Sequence, residues 1–132
     1  MGNIVLDTSV VSFIFKNDSR AGWYMAEITG MSPCISFQTW EELLYGAKIG
    51  KWGAQRMNDL ARNLGQYSVI WPNEELVMRC AELRGIQKLA GRKLACADAW
   101  IAATALMLKC PLASHDRDFN NIPDLKLIRS QQ

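Results

Sequence analysis

Five short apolar runs punctuate this chain: Ile4-Val5-Leu6, Cys34-Ile35-Ser36-Phe37, Ser68-Val69-Ile70-Trp71, Pro111-Leu112-Ala113-Ser114 and residues 125–128. Segments with helical spacing lie between most of them. Parallel neighbours in a sheet need a crossover, and a helix is its usual form, so the alternation predicts an α/β fold with a central parallel sheet covered on both faces. The pattern leaves the strand order open.

The helical segments carry their own punctuation. Ser9 is expected to cap a short helix through Phe15, with Val10, Phe13 and Ile14 at helical spacing, and a second helix runs from Ser19 to Gly30. Thr39 caps a third that ends near Gly50. Residues 53–63 form a fourth with an apolar stripe at Met57, Leu60, Ala61 and Leu64, and its polar side, with Lys51, Arg56 and Arg62, reads as a solvated face. Asn73 caps a long helix whose Leu76, Val77, Cys80 and Leu83 turn inward, while Glu75 and Arg79 pair at i, i+4 on the exposed side. A nearly uncharged helix then opens at Asp98 and closes before Pro111.

Acids fall at telling places in this pattern. Asp7 ends the first strand, Asp116 follows the fourth, and Asp98 stands at a helix start, so the three can share the crevice where open α/β sheets place ligands. Ordinary explanations compete. Asp98 suits a helix cap, and Thr39-x-x-Glu42 is a capping-box signature that accounts for Glu42 without chemistry.

Composition narrows the class. The 132 residues, 49% of them hydrophobic, suit one globular domain spanning 1–132, with no linker or repeat to divide it. The longest apolar stretch, residues 99–108, falls well short of the roughly 20 residues of a membrane span, and no signal-peptide pattern opens the chain. A cytoplasmic protein without a membrane partner is expected. Cys34, Cys80, Cys96 and Cys110 lack C-x-x-C spacing and read as buried reduced thiols. With His115 the one histidine, a Ser/His/Asp triad is a poor fit, and no G-x-x-x-x-G-K-[ST] loop is present.

The net charge of +2 is modest. Setting four of the 13 acids in a pit leaves nine against 15 bases, a surface of +6 around a negative centre. The densest basic region, Arg84, Lys88, Arg92 and Lys93 around Gly91, is a candidate for phosphate contacts, and Arg117 is another. Among Trp23, Trp40, Trp52, Trp71 and Trp100, core packing is the simpler assignment, with base stacking as the alternative.

Carboxylates gathered without a counter-charge repel one another. A fold that keeps Asp7, Glu42, Asp98 and Asp116 together therefore calls for a divalent cation, and all-oxygen ligands select Mg²⁺ or Mn²⁺ over zinc. Such ions polarise phosphoryl oxygens and activate water, so phosphodiester hydrolysis fits best. An aspartyl-phosphate phosphatase needs a second Asp two residues after the first, where Ser9 stands.

Four segments, Leu6-Asp7-Thr8-Ser9, Trp40-Glu41-Glu42-Leu43-Leu44-Tyr45-Gly46-Ala47, Asp98-Ala99-Trp100-Ile101-Ala102-Ala103-Thr104-Ala105 and Ser114-His115-Asp116-Arg117-Asp118-Phe119, resemble the successive motifs of PIN-domain ribonucleases. The closest likeness is to the short VapC-type toxins of bacterial toxin–antitoxin pairs, and it covers essentially the whole chain. The resemblance implies a three-layer α/β/α sandwich with a Mg²⁺- or Mn²⁺-dependent endoribonuclease site acting on an RNA such as tRNA or rRNA. It assigns Asp7, Glu42, Asp98 and Asp116 as the catalytic and metal-binding acids, with Asp118, Thr8, Ser9 and Ser114 as accessories. It also implies a cognate antitoxin and a homodimer. Two positions depart from the pattern, which more often has Asn where Ser9 stands and Thr where Ser114 stands. A catalytically silent module of this fold and a nuclease acting on DNA remain the alternatives.

Overall fold

The computed structural model describes residues 2–131. In chain order the elements are β1 (Asn3–Leu6), α1 (Thr8–Lys16), α2 (Ala21–Ile28), β2 (Ser32–Ser36), α3 (Phe37–Ile49), α4 (Ala54–Leu64), β3 (Ser68–Ile70), α5 (Glu74–Leu89), α6 (Cys96–Leu108), β4 (Leu112–Ala113), a 3₁₀ turn (Arg117–Phe119) and β5 (Leu127–Ile128). The strands form one sheet in the order β3-β2-β1-β4-β5, parallel at every pairing.

That order places the site. The chain steps outward from β1 to β2 to β3, then returns past both to lay β4 on the other side of β1. Since parallel crossovers are right-handed, reversing direction sends the helices to the opposite face. Accordingly Ile4, Leu6 and Ile35 meet Val10, Val11, Tyr24, Leu60 and Leu64 on one side, whereas Val5, Cys34 and Leu112 meet Leu83, Ile101, Ala102 and Ala105 on the other. Strand alternation alone divides Ile4 and Leu6 from Val5. The result is the expected three-layer sandwich, with the reversal between β1 and β4.

The alanines of α6 explain its central position. Ala99, Ala102, Ala103 and Ala105 are buried, so α6 approaches the sheet on one side and α5 on the other, where Leu76 and Cys80 meet Ala99 and Ala103. The helix stops at Lys109, which adopts the left-handed conformation (φ 54°), ahead of Pro111.

Several local expectations need correction. Asp7, not Ser9, is the N-cap of α1, because it carries the extended backbone and its carboxylate accepts the Thr8 N–H. Ser36, not Thr39, caps α3 by accepting the Gln38 N–H, so Phe37 opens the helix and β2 is displaced to Ser32–Ser36. The Thr39–Glu42 capping box does not exist. Trp71 lies beyond β3 and is exposed, and α2 begins at Ala21 rather than Ser19. On α5 the inward face is Leu76, Cys80, Leu83 and Gln87, a strict helical row that leaves Val77 49% exposed. Ala61 and Cys96 are also exposed, and all four cysteines are free thiols. Asn73 does cap α5, accepting the Leu76 N–H at 2.8 Å, and Glu75 pairs with Arg79 at 3.1 Å.

Candidate active site

The carboxyl ends of β1 and β4 deliver the two strand-end acids to the crest of the sheet where its order reverses. There the Asp7 N–H donates to the Ala113 carbonyl at 2.9 Å. Helix α3 adds Glu42 and α6 adds Asp98, and a cleft of about 520 Å³ is lined by Asp7, Glu42, Asp98 and Asp116 together with Thr8, Ser9, Lys16 and Trp52. The four acids read from the sequence therefore meet in one cleft.

Asp7 is the most enclosed, at 5% exposure. Its Oδ1 accepts the Thr8 N–H at 2.8 Å, and its Oδ2 accepts the hydroxyls of Ser9 and Ser114, each at 2.9 Å. Two donors saturate Oδ2, leaving one lone pair on Oδ1 for any further ligand. Burial raises the pKa of Asp7 above the ordinary carboxylate value, and the three hydrogen bonds oppose that rise. The Ser114 hydroxyl also accepts the Asp116 N–H at 3.0 Å, so one side chain ties the two strand-end acids together. Ser114→Ala should cost about 1.5–3 kcal/mol in urea unfolding at pH 7, the worth of a hydrogen bond to a charged group. Ser114→Thr, which keeps the hydroxyl, should regain most of it.

Glu42 is half-buried. Its Oε1 lies 3.4 Å from both the Thr8 hydroxyl and Gln38 Nε2, and burial raises its pKa, with Asp7 adding to the effect. Oε2 has no partner among the described residues. Thr39, fully buried, meets the Thr8 hydroxyl at 3.0 Å and so supports the α1–α3 contact beneath Glu42.

Asp98 sits in the first turn of α6 but accepts no hydrogen bond there, which removes the cap explanation. Burial and, in order, the charges of Asp116, Asp7, Asp118 and Glu42 push its pKa up to about 7. Carboxylate oxygens of Asp98, Asp116 and Asp118 lie within 4.8 Å of one another. Among the described residues no lysine or arginine forms an ion pair with any of these acids. An all-oxygen cluster of this spacing without a counter-charge fits a hard divalent cation. Asp118, expected as an accessory, belongs to the tightest group.

Residues 4–125 match the family model described as PIN domain. The chain belongs to the PIN domain family. It is 28% identical over 127 residues to Ribonuclease VapC1 of Haemophilus influenzae, covering 92% of this chain and 93% of that protein. Among solved structures, VapBC-1 from nontypeable Haemophilus influenzae superposes with a TM-score of 0.81 at 27% identity, covering 96% of this chain and 97% of that one. A toxin–antitoxin complex from Klebsiella pneumoniae superposes with a TM-score of 0.75 at 25% identity, covering 95% of each chain.

In this PIN domain the two departures, Ser9 and Ser114, both donate to Asp7. The site also rests on groups that the sequence did not single out. Arg129 donates from Nη2 to the Asp116 carbonyl at 2.6 Å and from Nη1 to Asn120 Oδ1 at 2.8 Å, clamping the loop that carries Asp116 and Asp118. The buried Tyr24 hydroxyl contacts His115 Nδ1 at 2.9 Å and accepts the Ser130 N–H at 3.2 Å, anchoring the same loop to α2. Only a three-dimensional fold brings these together, and no spacing announces them.

Of the candidate phosphate contacts, Lys88, Arg92 and Lys93 lie with Arg84 in a separate depression of about 710 Å³ that shares no lining residue with the carboxylate cleft. Arg117 is exposed between Asp116 and Asp118. Among the described residues the cation that lines the cleft itself is Lys16.

Proposed function

We propose that this PIN domain is the endoribonuclease toxin of a toxin–antitoxin pair, hydrolysing RNA phosphodiesters with Mg²⁺ or Mn²⁺. The observation that carries it is the uncompensated Asp98, Asp116 and Asp118 cluster beside Asp7 and Glu42 at the β1/β4 crest. Asp98, Asp116 and Asp118 would hold the ion, with Asp7 Oδ1 and Glu42 completing the acidic wall. The ion would supply charge neutralisation at the phosphoryl oxygens and acidify a water. The chain's own groups do the rest. Ser9, Ser114 and Thr8 fix the Asp7 carboxylate, and Glu42, steadied through Oε1, keeps Oε2 available to orient a water or take its proton. Lys88, Arg92, Lys93 and Arg117 serve as more distant phosphate contacts.

The name of the Haemophilus relative and the toxin–antitoxin complex from Klebsiella support this reading, including a protein antitoxin as partner. A homodimer in the cytoplasm completes it. Among the described residues no helix is long and apolar enough to cross a membrane. Induction followed by sequencing of cleaved 5′ ends in total RNA tests the proposal: discrete cuts in one tRNA or rRNA are expected, and an unchanged RNA population would overturn it. Glu42→Gln should stay folded yet lose at least about tenfold in cleavage rate, since it keeps the amide-sized side chain but not the charge. A fully active Glu42→Gln protein would return Glu42 to a structural role.

A further inference from the structure

The carboxylate cleft has an aromatic wall that the hydrolytic site does not use. Trp52 and Phe15 line it together with Lys16, and their rings stack at 5.7 Å between centroids with an interplanar angle of 15°. A Cβ at Gly50 would come within 2.9 Å of Trp52 Nε1, so the glycine lets the indole lie against the turn after α3. Over the indole stands the Arg56 guanidinium, its carbon 3.8 Å from the ring centroid. Arg56 is exposed, forms no ion pair and donates to no described residue, although Asp59 on the same helix is within a salt bridge to Arg62. A guanidinium seated on an aromatic ring beside an acid-lined cleft, with its own charge unspent, is suited to a ligand that offers both a flat ring and an anion. Nucleotides do: bases stack on aromatic rings and guanidinium planes, and phosphates accept from the same group.

We propose that Arg56, seated on Trp52 at the edge of the cleft, forms a nucleobase-stacking subsite that receives the nucleotide next to the scissile phosphate of single-stranded RNA, the base lying on the guanidinium plane because Phe15 and Arg56 already cover the indole. This rests on the ribonuclease reading above. Lys16 draws the adjoining phosphate, and Phe15 holds the indole in place. The polar face of α4 thereby acquires a ligand, where its sequence reads as solvated.

The test compares a fluorescently labelled short oligoadenylate with an abasic ribose-phosphate strand of equal length, binding wild type, Arg56→Lys and Arg56→Ala in EDTA. Stacking of one base is worth ~1–3 kcal/mol, which converts to roughly fivefold or more in affinity. Wild type should therefore prefer oligoadenylate, and Arg56→Lys, which keeps the charge, should lose about tenfold on oligoadenylate while binding the abasic strand as before. With Mn²⁺ added, its KM for RNA should rise with kcat little changed. Because Arg56 is exposed and its contact is with the indole, both variants should stay folded and melt within a few degrees of wild type. Unaltered oligoadenylate preference in variants of a protein that still cuts RNA would overturn the subsite alone. Wild type that neither binds nor cuts any RNA would overturn the ribonuclease reading itself. Loss of a co-purifying antitoxin by Arg56→Lys, with oligoadenylate binding intact, would overturn the subsite in favour of a protein-docking role.

Discussion

Asp98→Asn protein should fold and yet cleave RNA more than about a hundredfold more slowly than wild type at saturating Mn²⁺. Disturbing groups that merely support metal ligands typically costs 10–100-fold, so removal of a charged ligand from the Asp98, Asp116 and Asp118 group should exceed that. Asn preserves size and one oxygen, and among the described residues Asp98 has no hydrogen-bond partner whose loss would disturb α6. A deficit in rate without a deficit in fold therefore isolates the charge. EDTA should abolish wild-type cleavage, and Mn²⁺ or Mg²⁺ should restore it. Fully active Asp98→Asn protein, or wild type that cuts RNA in excess EDTA, would remove the metal from the mechanism.

The two strand-end acids are readable because each stands near a boundary with a strong local signal. Asp7 directly follows the apolar triplet Ile4-Val5-Leu6 and Asp116 comes two residues after the Pro111-Leu112-Ala113-Ser114 run, and strand ends of parallel sheets converge on one edge whatever the strand order. Glu42 and Asp98 were ambiguous for a physical reason: helix starts favour the same acids that metal sites use. The structure separates the two readings at Glu42, since Ser36 occupies the cap position three residues before Thr39. Val77 was misplaced because an apolar residue beside an inward row looks like part of it, while polar Gln87 occupies the true inward position. Arg129 and Tyr24 were invisible for a different reason. Asp116 lies 13 residues before Arg129 and Ser130 lies 106 residues after Tyr24, and one arginine or tyrosine in a sequence says nothing of what it clamps.

The order of thermal stability between wild type and Asp98→Asn should reverse on adding metal. Burial and the neighbouring Asp116, Asp7, Asp118 and Glu42 charges raise the folded pKa of Asp98 from 3.8 to about 7. In that window the folded state holds a proton that the unfolded state has released, so stability falls as pH rises from the unfolded pKa through the folded one. Asp7 and Glu42, also raised, act in the same direction. In EDTA the wild type should accordingly melt lower at pH 8 than at pH 5, and Asp98→Asn should melt above wild type at pH 8 with a flatter pH dependence. Saturating Mn²⁺ changes the sign. An ion at ~100 times its Kd adds ~2.7 kcal/mol to the folded state that binds it, roughly 10 °C for a chain of this size. Wild type retains the full set of charges and should gain most of that, while Asp98→Asn gains less, so the two melting curves cross. A helix cap at position 98 predicts something else, because Asn caps about as well as Asp and binds no metal either way. Melting curves of the pair that coincide in EDTA and do not move with Mn²⁺ would leave the acidic cluster without an ion to hold.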